Sequence, residues 1–346
     1  MDYSVEYIPA VCQDRIEKDW RRLETGNEMT LFQSYDWYKM LIDFYVPKDT
    51  KHYESVFALV KKAETICIIA PLWIIKKNFR FINKKGVYLL GRDSYSDYLN
   101  FIYNSFDSKA FDYLINDIHI RFNLNHFIFE QINENSTIIK YITSSFKIIN
   151  CKKDPCVNLH LPTSRDGYNK LLSKHARQNL RTANNRLTKD GLSITIDVDN
   201  IEVDKKKCLL IRESKLSIQY NKVSSIKKYK YRIINKYRFH FPKFSPITDY
   251  TGSKVMTATI NKELCAFFNY AFDKVHKKVV IISAGTNIQY ARYSPGILLM
   301  YAFIMKTIEN NYYSEIDFTR GDEKYKYVLG GETNYNYSIH SSFASS

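Results

Sequence analysis

Apolar positions recur along this chain in two rhythms, one with the 3.6-residue period of a helix and one alternating or continuous as in strands. Over "LFQSYDWYKMLIDFYV", Trp37, Met40, Leu41 and Phe44 fall on one helical face, with Ser34 placed to cap it and Asp36 in the first turn. The runs "YESVFALVKK", "TICIIAPLWIIKK", "GVYLLG" and "DYLNFIY" are expected strands. "SKAFDYLINDIHIRF" returns to helical spacing, and "HFIFEQI" reads as another strand. Adjacent strands interrupted by helices predict an α/β (α+β) architecture with mixed sheets.

"CKKDPCVNLHLPTSRDG" reads as a turn and a change of character. It places a boundary near residue 160, with one domain over 1–160 and a second over 161–346. In the second, Tyr168, Leu172, Ala176, Leu180, Ala183 and Leu187 form a helical stripe, and Gly191 stands where a C-cap belongs. Lys174, Arg177 and Arg181 share another face, which either is simply solvated or contacts phosphate. Residues 203–240 read as helical and strongly basic, with Lys227, Lys228, Lys230 and Arg232 interleaved with Tyr229 and Tyr231. Such a pattern suits a nucleic-acid backbone, and it equally suits an amphipathic helix lying on a sheet. "KVMTATINKELCAFFNYAFDKVHKKVVIISAGT" then predicts three antiparallel strands joined by polar turns.

The densest chemistry follows this meander. Ser294-Pro295-Gly296 opens the apolar run "GILLMYAFIM", with Ser294 at the N-cap position and Pro295 where a helix needs no amide donor. Free amides and the helix dipole at that end suit a diphosphate. "EIDF" is a short strand, and "TRGDEKYKY" leaves it through a glycine with Arg320, Asp322, Glu323, Tyr325 and Lys326 close together. Arg320 and Lys326 are candidate substrate clamps and Tyr325 a proton donor. Asp317 and Asp322 are candidate carboxylates for binding or deprotonating an amine. An ion-paired loop with no catalytic role is the competing reading.

Composition narrows the partners. A length of 346 residues suits about two domains, and a hydrophobic content of 45% supplies real cores. The formal net charge of +15 suggests nucleic acid, an anionic membrane face or a phosphorylated ligand, unless it is only compositional in a chain rich in Lys, Asn, Ile and Tyr. The N-terminus lacks the basic-then-apolar order of a secretory signal. The longest apolar runs of the chain are about ten residues against the ~20 that span a bilayer. Cytoplasmic location, reduced thiols and at most peripheral membrane contact are therefore expected. The six cysteines form no zinc pattern with histidine, so no metal is expected. Signatures of zinc proteases, serine hydrolases, phosphate-loop NTPases and dinucleotide-binding folds are absent from the sequence.

Taken in order, "FQSYDW", "LGRDSYSDYLNF", "SKHARQNLRTANNRLTKDG", "YARYSPGILL" and "DFTRGDEKYKYVLGG" resemble the CelD/BcsL-like branch of the GNAT superfamily, which is related to the Fem-type peptidoglycan aminoacyltransferases. The resemblance runs from about Leu31 to Tyr337 and is most specific in "SPGILL" and "DFTRGDEKYKY". It implies tandem GNAT-like (acyl-CoA N-acyltransferase) domains and an acetyl-CoA or other acyl-CoA donor. By resemblance, Val280–Ala284, with Ile282, Ser283 and Ala284, would meet the acyl carbonyl. Arg292, Tyr293, Ser294 and Gly296 would hold the pyrophosphate. The usual loop has the form Gln/Arg-x-x-Gly-x-Gly/Ala; here Ala291 stands first and Ser294 replaces the first glycine. Fem-like relatives, which use aminoacyl-tRNA, share that departure. Tyr325-Lys326 is similar to their "(F/Y)-K" pair, which would set Lys326 on acceptor phosphate or a developing oxyanion. Asp97 and Tyr98 match a polar spot facing an interdomain cleft, and with Trp37 and Arg177 they complete the expected acceptor site.

The resemblance thus implies an acyl-CoA-dependent acyltransferase, acetyl transfer foremost, acting on an amino sugar or related surface-polysaccharide precursor, free or lipid-linked. Two other readings stand beside it. One is a Fem-like aminoacyltransferase with tRNA as partner, and the other is a degenerate GNAT fold kept as a binding module.

Overall fold

The computed structural model describes residues 3–44, 53–77, 85–91, 96–198, 206–212 and 250–343. The expected basic helical segment over 203–240 lies outside the described residues except for 206–212, which are helical. The chain divides into two compact units. One runs to Pro155 and resumes at Tyr335; the other comprises Cys156 to Asn334, in each case within the described residues.

In the first unit, β1 (Tyr3–Pro9), β2 (Tyr53–Lys62), β3 (Thr65–Ile75) and β4 (Gly86–Leu89) run antiparallel in sequence order. β4 then pairs parallel with β6 (His126–Asn133), and β6 pairs antiparallel with β13 (Glu332–Phe343). The expected strand "DYLNFIY" shrinks to β5, Ile102–Tyr103. Its earlier backbone is committed elsewhere: Leu99 N donates to Gln131 O, and Phe101 N to the side chain of Asn100. Helices α1 (Glu17–Leu23), α2 (Tyr35–Phe44), α3 (Ser108–Phe122) and α4 (Thr137–Ser145) complete the unit. Ser34 Oγ accepts from Trp37 N as its position suggested. The stretch read as a turn around Cys151 is instead part of a long strand, β7 (Phe146–His160). Positions 147–152 are all exposed, so neither face was hydrophobic enough to announce a strand.

In the second unit α5 (Arg165–Leu171) and α6 (Lys174–Lys189) share the predicted apolar stripe, every member of which is buried. The helix is broken at Leu172–Ser173, where Ser173 Oγ accepts from Ala176 N and starts α6 afresh. The three-stranded meander forms as expected from β9 (Ser253–Ile260), β10 (Glu263–Asp273) and β11 (Lys278–Thr286), and β8 (Ile194–Asp197), which was not expected, pairs antiparallel with β9. β11 pairs parallel with β12 (Glu315–Arg320), and β12 antiparallel with the end of β7. Between β11 and β12 comes α7 (Pro295–Asn310), whose Leu299, Phe303 and Ile304 pack with Phe268, Tyr270 and Ile281 on one face of the sheet. α8 (Lys324–Val328) follows β12. The fold is mixed α/β. Among the described residues no helix is long and apolar enough to cross a membrane.

Candidate functional site

The site forms where two parallel strands separate. β11 and β12 are registered at only three pairs, ending at Val280↔Asp317. Beyond that point Thr319 occupies the next ladder position with its side chain, Oγ1 donating to Ile281 O at 3.0 Å. Thr319 has φ +58°, an unusual value for a β-branched residue, and its amide is held by Asp317 Oδ1 at 2.7 Å. Asp317, 5% exposed, thus shapes the bulge in β12 rather than facing solvent as a catalytic carboxylate. β11 has its own irregularity opposite Asn269/Tyr270, where Ile282 is the extra residue. Together the two bulges open a wedge lined on the β11 side by Ile282, Ser283 and Ala284. The β11–β12 register does not extend to these three residues.

The wedge leads to the start of α7. Ile297 N and Leu298 N both donate to Ser294 O, and Pro295 has no N–H, which leaves Gly296 as the first-turn amide position. Ser294 stands at the N-cap position but with φ +49° and no side-chain capping bond, so its Oγ does not close the helix end as the sequence suggested. Gly296 is needed for close approach, because a Cβ there would meet Thr286 Oγ1 at 2.6 Å. The turn before α7 is anchored to α6. Tyr293 Oη donates to Asp190 at 2.7 Å, Arg292 pairs with the same carboxylate at 3.1 Å, and Arg186 donates to Arg292 O at 2.8 Å. Arg292 keeps 59% of its side-chain surface exposed and so stays available to an anion.

Past β12 the chain turns at Gly321, φ +110°, a conformation that favours glycine. Arg320 is half-buried and Asp322 exposed on this turn. Lys326, expected as an acceptor clamp, points inward instead. It is 2% exposed, and its Nζ donates to Thr319 O at 3.2 Å and to Arg320 O and Gly321 O at 3.0 Å each. Glu323 Oε2 lies 3.0 Å from the same ammonium. The lysine is the peg on which the turn is wound. Tyr325, next to it, stacks edge-on against Phe318 with 6.4 Å between ring centroids. Burial, then the charge of Glu323, pushes its hydroxyl pKa well up, so the group carries its proton at neutral pH.

The expected acceptor residues have structural roles of their own. Arg177 donates to Asn169 O and Leu172 O, capping the carbonyl end of α5. In the first unit Trp37 is wholly buried with Nε1 on Ser96 Oγ at 3.0 Å, and Tyr98 is 4% exposed against Phe32. Both are core residues there, because the helical face that carried Trp37 is the face α2 buries. Asp97 is half-buried and its carbonyl accepts from Asn336 Nδ2. Thr319, Thr286 and Asp190 were not singled out by sequence; only the glycine beside Thr319 signalled an unusual backbone. Among the described residues no group of three His, Cys, Asp or Glu side chains gathers as a metal site.

Residues 254–327, which span this wedge, match the model of the acetyltransferase (GNAT) domain. No curated protein matches the chain by sequence. Among solved structures the chain is similar to FemX, at 10% identity and TM-score 0.59 over 97% of this chain and 96% of that one. It is also similar to the C-terminal domain of a lysylphosphatidylglycerol synthetase from Agrobacterium fabrum, at 11% identity and TM-score 0.53 over 95% and 92%. A tandem GNAT protein from the clavulanic acid biosynthesis pathway matches at 8% identity and TM-score 0.51 over the whole of both chains. At these identities the likeness establishes the fold, a tandem GNAT-like one.

Proposed function

We propose, taking as premise that this chain is a GNAT/Fem-like acyltransferase, that it moves an acyl group from acyl-CoA, acetyl-CoA foremost, to an amino sugar or related cell-envelope precursor. The observation that carries the reading is the β11–β12 wedge running directly into the Pro295–Gly296 helix start. A thioester bound there supplies an activated carbonyl. The pyrophosphate fits a helix terminus with a free amide position, Arg292 at its rim and no side chain on Gly296. The acyl carbonyl fits the β12-facing edge of the stretch Ile282, Ser283 and Ala284, where a backbone N–H would stabilise the oxyanion.

The acceptor nitrogen attacks that carbonyl, the C–N bond forms, and the C–S bond breaks. Asp322, exposed on the Gly321 turn, takes the acceptor's proton directly or through water. Tyr325 gives its proton to the departing thiolate, a role that its place against Phe318 on β12, beside the wedge, supports. Arg320 faces the acceptor's phosphate groups. Lys326 holds Thr319, Arg320 and Gly321 in position. Domains over 1–160 and 161–346 with the donor site in the second remain part of the proposal. The amino-sugar acceptor rests on the family resemblance and the basic charge.

The test is product formation from acetyl-CoA and amino-sugar nucleotides, followed by mass. An acetylated product from the wild type, and its formation about 100-fold more slowly by Tyr325→Phe at equal protein, is expected. Aminoacyl transfer from tRNA is the second reading, favoured by Ser294 in place of a glycine. It predicts RNA binding that weakens steeply with salt, and acylation only from charged tRNA would replace the first reading.

A further inference from the structure

The described face of β9, β10 and β11 that turns away from α7 carries a polar pair where apolar residues are expected. Register aligns Val255, Asn269 and Ser283 across the three strands, so their side chains share a face. The neighbouring row places Phe267 and the buried Thr257 there, and Cys208, Leu209 and Ile211 from residues 206–212 pack on Phe267 and Val255. Within this apolar layer Asn269 is wholly buried. Its Nδ2 donates to Lys254 O at 3.2 Å, which fixes the direction of the amide and leaves Oδ1 buried without a partner. Ser283 Oγ, on the adjacent strand, is likewise buried and unpartnered. Neither atom satisfies the other.

Two unsatisfied oxygens side by side in an apolar layer are costly to keep unless a ligand completes them. Their place is informative. Ser283 lies on β11 one residue past the bulge, inside the wedge proposed to receive the acyl carbonyl. We infer that the Asn269–Ser283 pair is a specificity subsite, and that the transferred acyl group carries a hydrogen-bond-donating substituent, hydroxyl or ammonium, a few bonds beyond its carbonyl. Plain acetyl leaves both oxygens unsatisfied. A hydrocarbon chain does worse, since it also removes any water that could reach them. The inference rests on the proposed donor site, and sets a polar acyl group ahead of acetyl as the class that site prefers.

Matched donors test it. Wild-type protein is titrated with butyryl-CoA against 3-hydroxybutyryl-CoA and with propionyl-CoA against β-alanyl-CoA, and its melting temperature is compared with that of Ser283→Ala. The expected result is about tenfold tighter binding of at least one polar member over its apolar match, shrinking to within about twofold in Ser283→Ala. Preference for the first polar donor identifies a hydroxyacyl group, and preference for the second an aminoacyl group. The variant should melt no lower than the wild type, because an unpartnered hydroxyl is all it loses. Equal binding within both pairs overturns the inference, as does a drop of several degrees on removing the hydroxyl, which would make Ser283 structural. If no CoA species binds at all, the carrier assignment fails. The subsite is then decided by the melting comparison alone: a variant as stable as the wild type supports it, and a less stable one overturns it.

Discussion

Tyr325 and Lys326 are adjacent, yet the fold sends them to different work. A helical step turns the lysine inward, under three carbonyls, and leaves the tyrosine ring on Phe318 beside the wedge. Tyr325→Phe removes one oxygen and is expected to lower kcat by about 100-fold with donor affinity nearly unchanged; unaltered turnover would remove it as the proton donor. Lys326→Met removes the ammonium from the carbonyls of Thr319, Arg320 and Gly321 and is expected to destabilise the protein by about 2–4 kcal/mol, read by denaturant unfolding. From sequence the lysine looked like a substrate clamp and the tyrosine like a proton donor. Nothing local distinguishes a buried lysine from a solvated one, because burial is created by residues 319–321 closing over it. Thr319 was illegible for the same reason: its left-handed φ is imposed by Asp317 and Ile281 and not by any propensity of threonine.

At the scale of elements, packing is more local and so more readable. The alternation over β9–β11 and the stripe on α5 and α6 were visible because a buried face writes itself into the spacing of apolar residues. Strand β7 was not, since its exposed half has no buried face, and the parting of β11 from β12 depends on contacts from outside each strand. The junction of β11 with α7 rests on Gly296 meeting Thr286. Gly296→Ala is expected to cost about 1–3 kcal/mol, and most of the loss should return in the Thr286→Ala background, which a double-mutant cycle would show.

Another long-range device starts α4. Ser136 makes no side-chain capping bond there. Instead Glu28 Oε2 accepts from Thr137 N at 2.9 Å, Ser136 Oγ at 2.7 Å and Tyr103 Oη at 2.8 Å. Burial works to raise the Glu28 pKa, but these hydrogen bonds outweigh it and the net shift is downward. A carboxylate with a depressed folded pKa stabilises above its unfolded value and loses that contribution as pH falls through the folded one. Glu28→Gln should therefore be less stable by about 1–2 kcal/mol at pH 7. The gap to wild type should close below about pH 4 in urea titrations; a constant gap across pH would mean the charge is not involved.

For the molecule as a whole, two compact units account for the mixed α/β content, and the net charge of +15 fits a protein whose ligands carry phosphate. The central claim concerns one place in the second unit, the wedge and helix start that would hold an acyl carrier. Calorimetric titration with CoA and acetyl-CoA addresses it directly. The wild type is expected to bind one equivalent saturably. Ser294→Asp is expected to bind at least tenfold more weakly with its fold intact, since aspartate tolerates the left-handed conformation and suits an N-cap while repelling a diphosphate. Absence of binding heat in the wild type, or equal affinity in Ser294→Asp, would contradict the account.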